Sequence, residues 1–377
     1  MTKRFLNVEY NGINARINVT EMEDLSEVQD AIKKKYGEDI SAPPSRIQLF
    51  QPLDNQEMHI NKWKLFNTLA QDYFDEDGLF LVIRTTPPPS RQPTQLNLGS
   101  TFPAASPAIN AFWAAFTNYS DTIEPNTVVQ LPENVFILGN DSIGSSIYIR
   151  PCYPELYQTS LSIVQSADIR HLIILGNPGI GKTYFGYFLL LQLARSGATV
   201  VYESVTQEFL YLFTPNNVYK GTRFALHDIL MDSKTFYIVD GMEPLVEATA
   251  KTILLTSLRK EVWHQFSKGP CTLRYMPVWS REEIFACRSM LYHTLSEDLV
   301  EDLYLKWGGI ARYVLKFATD EEQQARLKEA LDISNIDAVL QSFGGSGEKA
   351  DASSRLIHRS VRDGFHSGPY QFASAYV

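Results

Sequence analysis

Residues 172–183 read Leu-Ile-Ile-Leu-Gly-Asn-Pro-Gly-Ile-Gly-Lys-Thr. An apolar run of four residues leads straight into G-x-x-x-x-G-K-T. The run predicts a buried strand, and the pattern from Thr183 to about Arg195 predicts a helix that Gly197 stops. Thr199–Tyr202 reads as the next strand. A glycine-rich turn between a strand and a helix is the context that makes this pattern a phosphate-binding loop. Gly176, Gly179 and Gly181 let the backbone turn tightly and aim N–H groups at phosphate oxygens. Asn177, Pro178 and Ile180 complete the loop. Lys182 is expected to reach the β- and γ-phosphates, and the Thr183 hydroxyl to ligate Mg²⁺. The helix adds its positive N-terminal end. The expected cofactors are therefore ATP or another NTP, with Mg²⁺.

Thr235-Phe-Tyr-Ile-Val-Asp240 is a second apolar strand, ending in a carboxylate. Beyond a P-loop, such an aspartate holds the metal, directly or through water; the alternative is a helix-capping Asp. In many ATPases of this class a Glu follows directly and activates water. Here Gly241 follows, so Glu243 or Glu203 must substitute, or both are solvated surface residues and hydrolysis is slow. Lys251-Thr-Ile-Leu-Leu-Thr-Ser257 is another strand with polar residues at its end. In additional-strand ATPases a strand between the P-loop strand and the metal-Asp strand senses the γ-phosphate this way. Thr256 or Ser257 fits that role, against ordinary strand-end polarity. Strands are also expected near 199–203 and 272–276.

Ser280-Arg-Glu-Glu283 is a capping box that starts a helix running towards Tyr292. Leu299–Lys306 looks helical. Trp307-Gly-Gly-Ile-Ala-Arg312 ends it and starts another, with Gly-Gly setting a tight turn. Arg312 in that first turn resembles a second sensor arginine, or is an exposed helical Arg.

Upstream, residues 4–10 and 13–19 alternate around Asn11-Gly12, which signals a hairpin. A helix from Asp24 to Lys35 follows, then strands at Arg46–Phe50 and Leu79–Ile83. This order resembles a ubiquitin-like β-grasp over residues 1–85. Residues 86–107 carry Pro87-Pro-Pro-Ser90, Pro93, Pro103 and Pro107 and read as a semi-rigid linker. Phe112, Trp113 and Phe116 lie on an amphipathic helix and are expected to dock on the next domain. Residues 108–345 alternate strands and helices as an α/β domain with a helical lid. Residues 344–350 read as a flexible break, and 346–377 as a short tail. The fold class is thus an α+β β-grasp domain followed by an α/β P-loop NTPase with a helical C-terminal extension.

Composition narrows the classes. The 377 residues are 44% hydrophobic and 20% charged, with a formal net charge of −9. That suits a globular chain and argues against coating nucleic acid by bulk charge. Cys152, Cys271 and Cys287 show no C-x-x-C spacing, which argues against a zinc site or a disulfide framework. No stretch approaches the ~18 uninterrupted apolar residues of a membrane span, and no signal-peptide h-region is visible.

With these residues in view, the chain resembles the Crinkler effector family and the related retrotransposon-hot-spot type NTPases. The resemblance rests on the ubiquitin-like N-terminal segment, the Pro-rich junction, Tyr148-Ile-Arg-Pro-Cys-Tyr-Pro-Glu-Leu-Tyr157, the P-loop, Val200-Val-Tyr-Glu203, Ile238-Val-Asp-Gly241 and Trp307–Arg312. The family's L-F-L-A-K signature is only echoed by Leu49-Phe50. The resemblance implies a secreted protein acting inside host cells, in the nucleus, on host proteins. Too few residues follow Ala350 for a nuclease core, so no nuclease activity is expected. Three readings stay open: a slow Mg²⁺-dependent ATPase, a nucleotide-gated interaction or homo-oligomerisation module, and a DNA-associated protein using the basic tail with Arg355, His358, Arg359, Arg362 and His366.

Overall fold

The computed structural model describes residues 5–10, 13–18, 25–36, 47–50, 79–85, 102–166, 169–333 and 355–377. The Asn11-Gly12 turn, Pro87–Pro93 and the glycine-rich break at 344–350 lie outside them. The chain divides into two compact units, Met1–Leu96 and Asn97–Val377.

In the first unit, β1 (Phe5–Tyr10) and β2 (Ile13–Asn18) pair antiparallel, from Phe5↔Asn18 to Tyr10↔Ile13. Then come α1 (Leu25–Tyr36), β3 (Ile47–Phe50) and β4 (Leu79–Thr85). β4 runs parallel to β1 and antiparallel to β3, giving the order β2-β1-β4-β3. A parallel pair needs a long crossover, and α1 lies within it. Ile17, Ile32 and Tyr36 are buried.

The second unit begins with α2 (Pro107–Thr117), β5 (Val128–Gln130), β6 (Ser146–Tyr148) and α3 (Cys152–Val164). β7 (His171–Leu175) leads through the P-loop into α4 (Lys182–Arg195). β8 (Val200–Ser204), β9 (Leu210–Phe213), β10 (Val218–Gly221), α5 (His227–Leu230), β11 (Phe236–Asp240) and β12 (Lys251–Thr256) follow. Then come α6 (Lys260–Trp263), β13 (Cys271–Tyr275), α7 (Arg281–Leu291), α8 (Glu297–Trp307) and α9 (Glu321–Ile333). A hairpin of β14 (Ile357–Arg362) and β15 (His366–Phe372) closes the chain.

The central sheet has the order β10-β9-β8-β11-β12-β7-β13. β8, β11, β12, β7 and β13 are mutually parallel. β12 therefore lies between the P-loop strand β7 and β11, which ends in Asp240: the additional-strand arrangement that the sequence predicts. Both faces of the sheet are covered, so its central strands are buried throughout and read as continuous apolar runs. Side-chain alternation sorts them. Leu172, Ile174, Ile238, Ile253 and Leu255 belong to the core shared with α4, whereas Ile173, Leu175, Val239 and Leu254 face the other layer. Nine residues of α4 are buried, so this helix is apolar on nearly every side. Each large side chain buried there contributes about 1.5–3 kcal/mol.

Two sequence expectations change. Residues 102–106, read as linker, join the sheet edge instead: Ala105 N–H donates to Val218 O at 2.9 Å and Lys220 N–H to Pro103 O at 3.0 Å. Edge-strand β10 offers backbone groups with no strand beyond it, and these bonds satisfy them. The segment read as a short tail is folded. Leu356, Ile357 and Phe365 are buried in the main core. The aromatics of α2 dock as expected, with Trp113 4.5 Å from the Phe213 ring and its Nε1 donating to Thr214 O.

Candidate functional site

The turn from β7 into α4 shows why its glycines are glycines. Gly179 and Gly181 have φ of +86° and +93°, a left-handed region that L side chains rarely adopt. A Cβ on Gly179 would also lie 2.9 Å from Arg312 Cβ and 3.0 Å from Ile310 Cγ2. The loop is therefore pressed against the Trp307–Arg312 segment. Gly309 lets the same segment approach the backbone of Trp279, which a Cβ there would overlap. Trp307 stacks on Tyr313 at 3.8 Å, which fixes the turn that delivers Arg312.

Lys182, at the start of α4, folds back on the loop. Its Nζ donates to Gly176 O at 2.9 Å and Asn177 O at 2.8 Å. Lost solvation pushes its pKa down to about 7; Asp240 raises it and Arg312 lowers it further. Thr183, next along, donates its hydroxyl to the Asp240 carboxylate. Burial raises the Asp240 pKa, against the lowering effects of that hydrogen bond and of the Lys182 charge. Asp240 is 9% exposed. The fold thus brings together Lys182, Thr183 and Asp240. Arg312 closes the group, its backbone N–H donating to Gly179 O at 3.1 Å and its charge acting on Lys182.

The donor set fits Mg²⁺ of one kind. One carboxylate and one hydroxyl in mutual contact are too few for an all-protein cage, and no cluster of three or more His, Cys, Asp or Glu forms among the described residues. They suit an ion that keeps waters and arrives with the phosphates, as Mg²⁺ does.

The candidate bases do not join this group in the same way. Glu203 pairs with Val239 across the ladder, while Asp240 pairs with Ser204. Glu203 therefore points to the face opposite Asp240. There its carboxylate takes both oxygens to Arg223 Nε, at 2.8 and 3.0 Å, and accepts the Tyr237 hydroxyl. A buried, doubly engaged carboxylate is a structural tie. Glu243 is exposed, and its backbone carbonyl accepts from Arg223. Thr256 is buried on the same face as Leu254. That face is opposite α4, which meets Leu255: a Cβ on Gly186 of α4 would lie 2.8 Å from Leu255 Cδ1. Ser257, just beyond, is half-buried.

Gly241 carries its own signal. Its φ is +79°, its N–H donates to Leu255 O, and a Cβ there would meet Val205 Cγ1 at 3.1 Å. The Glu usual after the metal-Asp is thus excluded by backbone shape. Gly241→Glu is expected to lower stability by about 1–2 kcal/mol without speeding ATP turnover. A thermal melt and a phosphate-release assay check this, and faster turnover would show that shape is no barrier.

Sequence reasoning missed what holds the loop from behind. Arg150, fully buried, donates to Ile180 O at 3.3 Å, Pro277 O at 2.9 Å and Val278 O at 3.1 Å. It also forms a bidentate pair with Glu283 at 3.0 and 3.1 Å. Glu283 at the same time closes the predicted capping box, accepting from Ser280 N–H at 2.7 Å. Trp279 Nε1 donates to Ile180 O at 2.8 Å and Tyr153 OH to Gly181 O at 3.1 Å. The only sign of this in the sequence is the Tyr-Ile-Arg-Pro run itself.

No family model matches the chain. Crinkler effector proteins 15 and 16 of Phytophthora infestans are 22% and 24% identical to it over 238 residues, which is 60% of this chain and 38% of each of theirs. The chain thus spans under two-fifths of the length of these curated relatives. Similar solved structures include a RuvB variant of Thermotoga maritima (TM-score 0.27, 14% identity, covering 48% of this chain and 63% of that one). The ORC2 protein of Aeropyrum pernix in ADPNP–ADP complexes matches at 0.27 and 15%, over 56% and 68%. AMPPCP-bound DnaA from Aquifex aeolicus matches at 0.28 and 10%, over 56% and 79%. TM-scores this low carry no argument about the site, which stands on strand order and contacts. Among the described residues no helix is long and apolar enough to cross a membrane.

Proposed function

We propose, for a chain that is a distant relative of the Crinkler effectors, that residues 108–345 bind ATP with Mg²⁺ and hydrolyse it slowly, as a nucleotide-gated switch. The observation that carries this reading is the convergence of Lys182, Thr183 and Asp240 beside a left-handed glycine loop, with Gly241 where a base would stand. Lys182 leaves the Gly176 and Asn177 carbonyls to meet phosphate. Loop N–H groups and the α4 N-terminus cradle the remaining charge. Thr183 and Asp240 would hold Mg²⁺, which would supply charge neutralisation when bound. Arg312 stands ready at the loop to contact the nucleotide. With Glu203 engaged by Arg223, Glu243 is the remaining acid to position water, and its exposure suits slow turnover. Thr256 faces away from α4, which leaves Ser257, just beyond it, to report the γ-phosphate.

The first unit, whose described residues form a mixed four-stranded sheet and one helix, is proposed to be a ubiquitin-like domain. Secretion, action on host proteins and a nuclear destination, which the family resemblance implies, are proposals for this chain, as is assembly with further copies of itself. The DNA-associated reading loses ground. His358 is buried and Arg359 is held by Ser367 Oγ, Tyr275 and Tyr370, so two of the five tail groups are used internally.

The test is ATP binding and turnover by the full chain, with Mg²⁺, beside Asp240→Asn. The expected result is turnover below roughly one per second, under the usual enzyme range, falling by about a hundredfold in the variant. Binding should survive with weaker Mg²⁺ dependence. Identical background rates and no binding in either protein would sink the reading.

A further inference from the structure

Asn177 belongs to the P-loop, yet its side chain is turned out of the loop towards β14. It is 1% exposed. Its Nδ2 donates to Ile357 O at 3.0 Å, and its Oδ1 accepts from the Arg359 backbone N–H at 3.2 Å. These partners lie 180 and 182 positions further along the chain. A carboxamide offers one acceptor and two donors on a short stem, so it mimics a peptide group pairing with a strand. The P-loop is in effect one rung of the hairpin's ladder.

The hairpin is held elsewhere too. Ser374 Oγ, just past β15, donates to Lys306 O at 2.8 Å. Gly308 lets the backbone of Ala373 approach so closely that any Cβ would overlap it. The Arg359 guanidinium lies 5.2 Å from the ring of Tyr275, which ends β13, the neighbour of β7. Asn177 also presents its main-chain carbonyl to Lys182. One residue thus meets the phosphate-binding lysine with its backbone and the C-terminal hairpin with its side chain.

We infer that the β14–β15 hairpin is a working part of the nucleotide site. Asn177 is the positioning residue through which the docked hairpin holds the loop in its phosphate-ready shape, and bound nucleotide holds the hairpin down in return. This rests on the nucleotide-binding reading above. The coupling is reciprocal by thermodynamic necessity. Two hydrogen bonds of ordinary strength set its scale at roughly tenfold in affinity.

The test uses the full chain and a non-hydrolysable ATP analogue with Mg²⁺. Calorimetry gives affinity. Amide exchange of residues 356–373, with and without the analogue, reports hairpin opening. In the wild type the analogue is expected to slow that exchange about tenfold. Asn177→Ala should bind about tenfold more weakly and show no ligand-dependent slowing. Ser374→Ala loosens the hairpin away from the loop and should shift both readouts the same way by a smaller factor. It also keeps the test decisive if thermal melting shows Asn177→Ala unfolded. Unchanged affinity in the folded variants overturns the inference, as does hairpin exchange indifferent to an analogue that binds. Both outcomes leave the nucleotide reading standing. A wild type that does not bind the analogue removes inference and reading together.

Discussion

Replacing Arg150 with Met is expected to destabilise the second unit by about 3–5 kcal/mol, enough to lower its melting temperature by several degrees. The guanidinium is fully buried and serves five acceptors: three backbone carbonyls and both oxygens of Glu283. Met fills much of the volume but leaves the Glu283 carboxylate buried without its cation. It also strips Pro277 O and Val278 O of side-chain donors. A loss of under 1 kcal/mol in a chemical-denaturation curve would refute this account. Arg150→Lys should recover little, because an ammonium lacks the planar fork that meets two carboxylate oxygens at once. Adding Glu283→Gln to Arg150→Met should restore part of the loss by removing the orphaned charge. The nucleotide site should suffer beyond simple stability, since Ile180 O would keep Trp279 alone.

Lys182→Ala is expected to lower ATP affinity and turnover by roughly a hundredfold or more. Its second signature is a proton. Burial holds the Lys182 pKa at about 7, so about half the molecules are neutral at that pH. Phosphate beside the ammonium favours the charged form and raises the pKa. Binding therefore takes up a proton above pH 7. Affinity should fall as pH rises past about 7, by up to about tenfold per unit, and level off below it. Calorimetry in two buffers of different ionisation enthalpy reads this uptake directly. Lys182→Ala should abolish both the uptake and the slope. A pH-independent wild-type affinity would mean that Lys182 is charged before the nucleotide arrives.

The legible parts of this chain are those with a strong local code. Leu172–Thr183 declares strand, turn and helix within twelve residues, and each central strand is a continuous apolar run because both its faces are covered. The strand order is legible through chemistry: Lys251–Ser257, an apolar strand with polar residues at its end, is what points to a strand between the P-loop strand and the one ending in Asp240. Other features hide for physical reasons. β14 and β15 carry His, Arg, Ser, Gly and Pro, and Pro369 inside β15 reads as a loop; it is tolerated because it lies where the hairpin register shifts, between the Arg359–Tyr370 and Val361–Ser367 pairs. Arg150 looks like any surface arginine before a proline, because its partners lie 30 to 133 positions away. Glu203 looks like a strand-end acid, and only the ladder register turns it to the wrong face.

The left-handed backbone at Gly241 also shapes which changes are open to the molecule. A catalytic glutamate at that position is one side chain away in sequence but a backbone rearrangement away in conformation. A Cβ there is strained by the positive φ, and Val205 must give way to it. A lineage under selection for faster ATP use would therefore meet a valley at 241. It would climb more readily through the loop around Glu243, where the side chain is exposed. In the proposed reading, slow turnover is held in place by the fold and not merely by the absence of one acid.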